Sequence, residues 1–268
     1  MIIGGKEFDT DNRCYIMGIL NVTPDSFSDG GKWIKHDEAL HHVESMINDG
    51  ADIIDIGGES TRPGYTGISA QEELDRVGPI FGALVKRFDT PLSIDTSKSI
   101  VADIAIREGA DLVNDIWGLK RDPKMADIIA DSGAACCIMH NRDSTDYNDF
   151  IKDMLSDLSI SVVMAKKAGI AADKIILDPG IGFAKTYDMN LEAINRLDIV
   201  KELGYPVMLG TSRKSVIGLT LDLPSDERIE GTLATTIIGI MRGCSFVRVH
   251  DVLETKRAVT MAEAILRR

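Results

Sequence analysis

The decapeptide "DIGGESTRPG" at positions 55–64 sets two acids, three glycines, two hydroxyls, an arginine and a proline directly behind the apolar pair Ile53–Ile54. Gly57 and Gly58 would let backbone come close to a ligand. Ser60, Thr61 and Arg62 supply hydroxyl and guanidinium donors that suit an anion. Other apolar runs end the same way. Asn21 follows "YIMGIL" (15–20), Asp95 follows "PLSI" (91–94), Asn114 closes "DLVN" (111–114), His140 follows "AACCIM" (134–139) and Asp178 follows "KIIL" (174–177). "TSRK" (211–214) follows "PVMLG" (206–210), while Arg248 lies within "SFVRV" (245–249) and His250 just beyond it.

Two chemical tasks suit this set. Carboxylates and a carboxamide can grip the N–H edge of a flat, amino-bearing heterocycle, because a carboxylate accepts paired N–H donors in bidentate fashion. Arginine and lysine suit a diphosphate or a carboxylate. Asn21 offers an oxygen to a Mg²⁺ held mainly by substrate phosphates, since magnesium takes few protein ligands. An aspartate ahead of a helix is also a good cap, and capping is the preferred reading for Asp25 and Asp37. Asp178, in "LDPGIGF" with a tight Pro-Gly turn, favours the site.

Positioning these groups needs a regular frame. Between the apolar runs lie stretches with helical spacing, such as Leu40, Val43, Met46 and Ile47, or Met154, Leu155, Leu158 and Val162. Most of these end in a glycine signal ("DGAD", "EGAD", "DSGA", "KKAGI", "ELGYP"), as a left-handed helix stop requires. About eight strand–helix units predict a parallel sheet closed into a single (β/α)₈ TIM barrel over 1–268, with the active site at the carboxyl ends of the strands. An open doubly wound sheet would expect Gly-x-Gly-x-x-Gly after its first strand, and "GILNVTPDSFSDGG" lacks it. "MIIGGKEFD" predicts a small hairpin ahead of the barrel. Residues two apart share a strand face, so Arg248 and His250 should point together, as should Leu112 and Asn114. Trp117 reads as loop packing.

The 268 residues carry a net charge of −12 with no lysine or arginine run, which argues against nucleic-acid binding. Cys14, Cys136, Cys137 and Cys244 form no C-x-x-C pair and read as buried, reduced thiols. No basic head with a long apolar stretch opens the chain, and no apolar window reaches a membrane span of about 18 residues. The expectation is a soluble, cytoplasmic protein with no membrane partner.

The segments "GILNVTPDSFSDGG", "DIGGESTRPG", "SIDT", "ND", "MH", "LDPGIGF", "GTSRKS" and "RVHDV", in this order, resemble the dihydropteroate synthase family across nearly the whole chain. The resemblance implies a transferase of folate biosynthesis, a sulfonamide target, that condenses 6-hydroxymethyl-7,8-dihydropterin diphosphate with 4-aminobenzoate and releases diphosphate. It implies pterin-pocket roles for Asp95, Asn114, Asp178 and Lys214, anion anchoring by Arg248 and His250, and a magnesium contact at Asn21. It places Thr61 and Arg62 on a loop that completes the site, where Asp55 also belongs. Phe183, Lys214 and Ser215 fall on the 4-aminobenzoate side, and a homodimer through late helices is implied. The rivals are a pterin-binding methyltransferase domain, an isomerase or Schiff-base aldolase barrel using Lys214, and a non-catalytic binding subunit. Ser212 and Arg213 beside Lys214 suggest an anion contact rather than an aldolase lysine, which needs a more apolar pocket.

Overall fold

A computed structural model describes residues 1–22, 32–60 and 67–266, with side chains described from residue 37 onward in the second stretch. Its strands are β1 (Ile2–Ile3), β2 (Lys6–Glu7), β3 (Tyr15–Asn21), β4 (Ile53–Gly57), β5 (Leu92–Asp95), β6 (Leu112–Asp115), β7 (Ala135–Met139), β8 (Ile175–Asp178), β9 (Met208–Leu209) and β10 (Phe246–Val249). The α-helices are α1 (Lys32–Asn48), α2 (Ala70–Arg87), α3 (Ser99–Arg107), α4 (Met125–Ser132), α5 (Phe150–Ala168), α6 (Tyr187–Asn195), α7 (Asp198–Lys201), α8 (Ser215–Leu221), α9 (Ile229–Met241) and α10 (Val252–Leu266).

Eight parallel strands run in the order β8-β7-β6-β5-β4-β3-β10-β9. A parallel bridge between Leu177 and Val207, with Leu177 N–H donating to Pro206 C=O at 2.9 Å, brings the two ends together. The predicted TIM barrel is therefore what forms. The strand expected over 206–210 shrinks to Met208–Leu209, and proline at 206 has no N–H to give the ladder.

The helices bury the stripes their spacing predicted. Val43 and Met46 of α1 and Met154 and Leu158 of α5 are enclosed against the outer face of the sheet. Helix α4 stops at Gly133 and α5 at Gly169, both with left-handed backbone, which a Cβ would disfavour. Asp37 falls inside α1 and not at its start, so the capping reading fails there; Asp25 lies outside the described residues.

The predicted hairpin pairs β1 with β2. Ile3 and Phe8 join Met17, Ile53, Leu112, Cys137, Ile176, Met208 and Phe246 in an apolar cluster separate from the helix-facing core. Those strand residues are the inward ones, so the hairpin plugs the amino end of the barrel. Phe8 meets Tyr15 edge-on at 4.7 Å and Phe246 at 5.8 Å. With that end filled by apolar side chains, the open end of the barrel is left for polar groups.

Candidate active site

Strand register decides which side chains share the barrel mouth. Asn21 pairs with Gly57, Gly57 with Asp95, Asp95 with Asn114, and Asn114 with Cys137, all in one row. Registered partners face the same way, so Asn21, Asp95 and Asn114 point inward together. The row below holds Ile19, Asp55 and Ser93. Asp178 ends β8 opposite Met139, on the inward phase set by Ile176.

Asp55 was expected at the end of its strand, but it is the third residue of β4, fully enclosed in the barrel floor. The strand does not end there, because two further residues continue the ladder to Gly57. Arg248 reaches across to it, with Nε donating to Asp55 Oδ2 at 2.6 Å and a second guanidinium nitrogen donating to Asp95 Oδ2 at 2.7 Å. Asn114 donates to the same Asp55 oxygen at 3.2 Å. The other oxygens, Asp55 Oδ1 and Asp95 Oδ1, are enclosed and have no hydrogen-bond partner among the described residues. Burial raises Asp95 to about 7 against the pull of Arg248, with repulsion from Asp55 adding to the rise.

On the opposite wall, a Cβ placed on Gly210 would sit 3.7 Å from Asp178 Oδ2, 3.8 Å from Lys214 Nζ and 3.9 Å from Arg248 Cβ. Three charged side chains thus converge over one bare backbone position. Burial raises Asp178, opposed by Lys214 and by the Gly180 N–H that donates to its Oδ1 at 2.6 Å. Burial lowers Lys214 to about 8, with Asp178 opposing. Lys214 Nζ donates to Ile181 C=O at 2.5 Å and lies 4.8 Å from the Phe183 ring centre, a cation–π contact. Ser215 starts α8 beside it and is exposed.

His250 is fixed by Ser212. Its backbone N–H donates to Ser212 Oγ at 3.2 Å, and that hydroxyl lies 2.9 Å from His250 Nδ1. Arg213 does not join the anion contacts. It turns onto Asp251, with Nε donating to Oδ2 at 3.0 Å. Thr61 and Arg62 lie outside the described residues.

Sequence reasoning missed two groups. Lys98 bridges Glu59 and the fully enclosed Glu73, at 2.6 Å to each, and Glu59 also accepts from Ile68 N–H at 2.9 Å. Lys185 sits behind the Asp178 wall on His140, 2.9 Å from Nδ1. Burial lowers Lys185 to about 7, and burial with the neighbouring Lys185 charge lowers His140 to about 3. His140 therefore points away from the mouth, against the expectation that every strand-end group joins one cluster. Trp117 carries Arg121 over its ring at 4.7 Å, as loop packing predicts. The four cysteines are free and buried. No described helix is long and apolar enough to cross a membrane.

The family described as "Pterin binding enzyme" matches residues 17–250. Dihydropteroate synthase of Clostridium beijerinckii is 60% identical over the full length of both chains. Among solved structures, the Clostridium difficile dihydropteroate synthase in the presence of pteroic acid superposes with a TM-score of 0.96 at 50% identity, over 98% of this chain and 100% of that one. The Xanthomonas albilineans dihydropteroate synthase with 4-aminobenzoic acid does so at 0.91 and 39% identity, over 95% and 93%. The chain belongs to the pterin-binding enzyme family, among its dihydropteroate synthases.

Proposed function

We propose that residues 1–268 act as one barrel that condenses 6-hydroxymethyl-7,8-dihydropterin diphosphate with 4-aminobenzoate. One observation carries the assignment of the pocket: two enclosed carboxylate oxygens, on Asp55 and Asp95, have no partner among the described residues. Such acceptors are costly to leave unmade, and the amino edge of a pterin supplies N–H donors. Asp95, Asn114, Asp178 and Lys214 are the proposed pterin contacts. Relatives bound to pteroic acid and to 4-aminobenzoic acid support both substrates.

The proposed chemistry starts with heterolysis of the bond from the pterin methylene carbon to the bridging oxygen. The electron pair leaves with diphosphate, and the pterin ring nitrogen shares the positive charge. Asp55 and Asp95 stabilise that cation from the floor, while Arg248 and His250 hold the departing anion. The amine of 4-aminobenzoate, placed by Phe183, Lys214 and Ser215 with Thr61 and Arg62, then forms the C–N bond and gives up a proton to solvent. A neutral arylamine needs no strong base.

Mg²⁺ is the proposed cofactor, with Asn21 as its protein contact. Among the described residues no three His, Cys, Asp or Glu side chains gather to cage a metal. That suits an ion held chiefly by substrate phosphates, and Asn21 Oδ1 lies at the mouth, 3.8 Å from where a Gly57 Cβ would stand. When bound, the ion neutralises charge gathering on the leaving diphosphate.

A homodimer through the late helices is also proposed, because Ile238 and Met241 of α9 and Met261 and Ile265 of α10 leave apolar surface exposed. Buried free thiols suit a reducing cytoplasm. The deciding experiment measures diphosphate release from the pterin substrate with and without 4-aminobenzoate and Mg²⁺. Release that needs neither the intact Asp178 nor the metal would overturn the reading.

A further inference from the structure

Behind the wall that carries Asp178 and Phe183 runs a buried polar chain that the proposed chemistry does not use. Lys185 Nζ lies 2.9 Å from His140 Nδ1, 2.9 Å from Gly180 C=O and 3.0 Å from Phe183 C=O. Three acceptors match the three hydrogens of an ammonium. His140, its side chain fully enclosed, turns its other nitrogen to Asp157 Oδ2 at 3.1 Å, and Arg142 Nε donates to that oxygen at 2.5 Å. With Lys185 in its ammonium form, which only donates, His140 Nδ1 is the lone-pair nitrogen and Nε2 carries the proton toward Asp157. Burial and the adjacent ammonium keep the imidazole neutral.

The chain ends on groups that shape the pocket. Gly180 donates its N–H to Asp178 Oδ1 and gives its C=O to Lys185. Phe183 gives its C=O to Lys185 and its ring to Lys214. Segment 178–185 is thus bolted from outside by Lys185 and from inside by Lys214, which donates to Ile181 C=O. Tyr147 adds a third tie, donating to Ala184 C=O at 2.9 Å. A shift of Gly180 would carry the Asp178 clamp with it.

We propose that Lys185, seated on neutral His140, is a positioning residue that sets the pose of Asp178 and Phe183 and so the affinity for both substrates. The proposal rests on the pocket reading above, in which Asp178 grips the pterin. Lys185→Met removes the three donors and keeps the aliphatic stem. It should raise the pterin Kd and the 4-aminobenzoate KM about tenfold each, with kcat falling less than KM rises. His140→Gln keeps an acceptor toward Lys185 and a donor toward Asp157, and should restore affinity to within about threefold of the unaltered protein. His140→Leu should not.

Calorimetry with 6-hydroxymethylpterin and steady-state kinetics read these outcomes. Wild-type affinity in both Lys185→Met and His140→Leu would overturn the proposal, as would equal losses in His140→Gln and His140→Leu. If Lys185→Met does not fold, ¹⁵N spectroscopy of the unaltered protein decides. The expected signature is a neutral, Nε2-protonated His140 whose resonance shifts when 6-hydroxymethylpterin binds. An Nδ1-protonated ring, or no shift on binding, would overturn it. Asp178→Ala separates the two layers. Retained pterin binding there would defeat the pocket reading itself, whereas lost binding there with wild-type affinity in Lys185→Met defeats only the bolt.

Discussion

Arg248 and Asp55 meet inside the barrel, Nε to Oδ2 at 2.6 Å, with the aspartate fully enclosed. A guanidinium so placed is paid for by its two carboxylate partners, Asp55 and Asp95. Breaking one side of a buried pair leaves charge uncompensated. Asp55→Ala should therefore destabilise the protein by about 3 kcal/mol in urea unfolding. A loss below about 1 kcal/mol would mean that Asp95 alone satisfies the arginine, as in an exposed pair.

Asp178 already spends one oxygen on Gly180 N–H. In Asp178→Asn the carboxamide oxygen must stay there, turning an NH₂ group toward the pterin donors. Pterin binding measured by calorimetry should weaken about 10- to 100-fold, the cost of losing hydrogen bonds to a charged acceptor. Unchanged affinity would remove Asp178 from the pocket.

Asp95 is raised to about 7 and Lys214 lowered to about 8, so the two titrate close together. If catalysis needs the Asp95 carboxylate and the Lys214 ammonium, kcat/KM rises as Asp95 ionises through about 7 and falls as Lys214 loses its proton through about 8. The result is a narrow bell, and Asp95→Asn should lose its acid limb. Stability carries the opposite sign. An acid held above its ordinary 3.8 keeps a proton in the folded state that the unfolded chain has released. Between about 4 and 7 the folded form binds more protons, so stability falls as pH rises. Melting temperatures of the unaltered protein should decline relative to Asp95→Asn across that window; parallel curves would refute the shift.

The barrel was legible because its signals are local and repeated: apolar runs, helical stripes and glycine stops. Asp95, Asn114, Asp178 and Arg248 were legible because each sits at or within the end of such a run, on a phase the register confirms. His140 misled because "AACCIM" is apolar on both faces, as buried parallel strands are. Alternation there reveals no inward phase, and the histidine turns toward Asp157 on α5. Asp55 was read as a strand-end residue because "IIDIGG" carries its polar residue two positions before the ladder ends. Lys185 and Lys98 were missed because their partners are far along the chain or are backbone carbonyls, which composition does not encode.

Two glycines share a positive φ and differ in what surrounds them. Gly133 ends α4 at φ 71°, and a Cβ there would meet nothing within 4 Å. Gly180 has φ 70°, and its Cβ would stand 2.0 Å from His140 C=O. Gly133→Ala should cost only the left-handed strain, about 1 kcal/mol. Gly180→Ala adds a backbone collision that neither β7 nor the 178–185 segment can relieve while the Gly180–Asp178 hydrogen bond holds. Its cost should exceed about 3 kcal/mol, on the scale of severe overpacking, with pterin affinity falling as the Asp178 clamp is displaced. Urea unfolding of both variants, with calorimetry on Gly180→Ala, separates strain from collision. Equal costs in the two would show that the wall yields freely, and that Asp178 does not depend on close contact between Gly180 and His140.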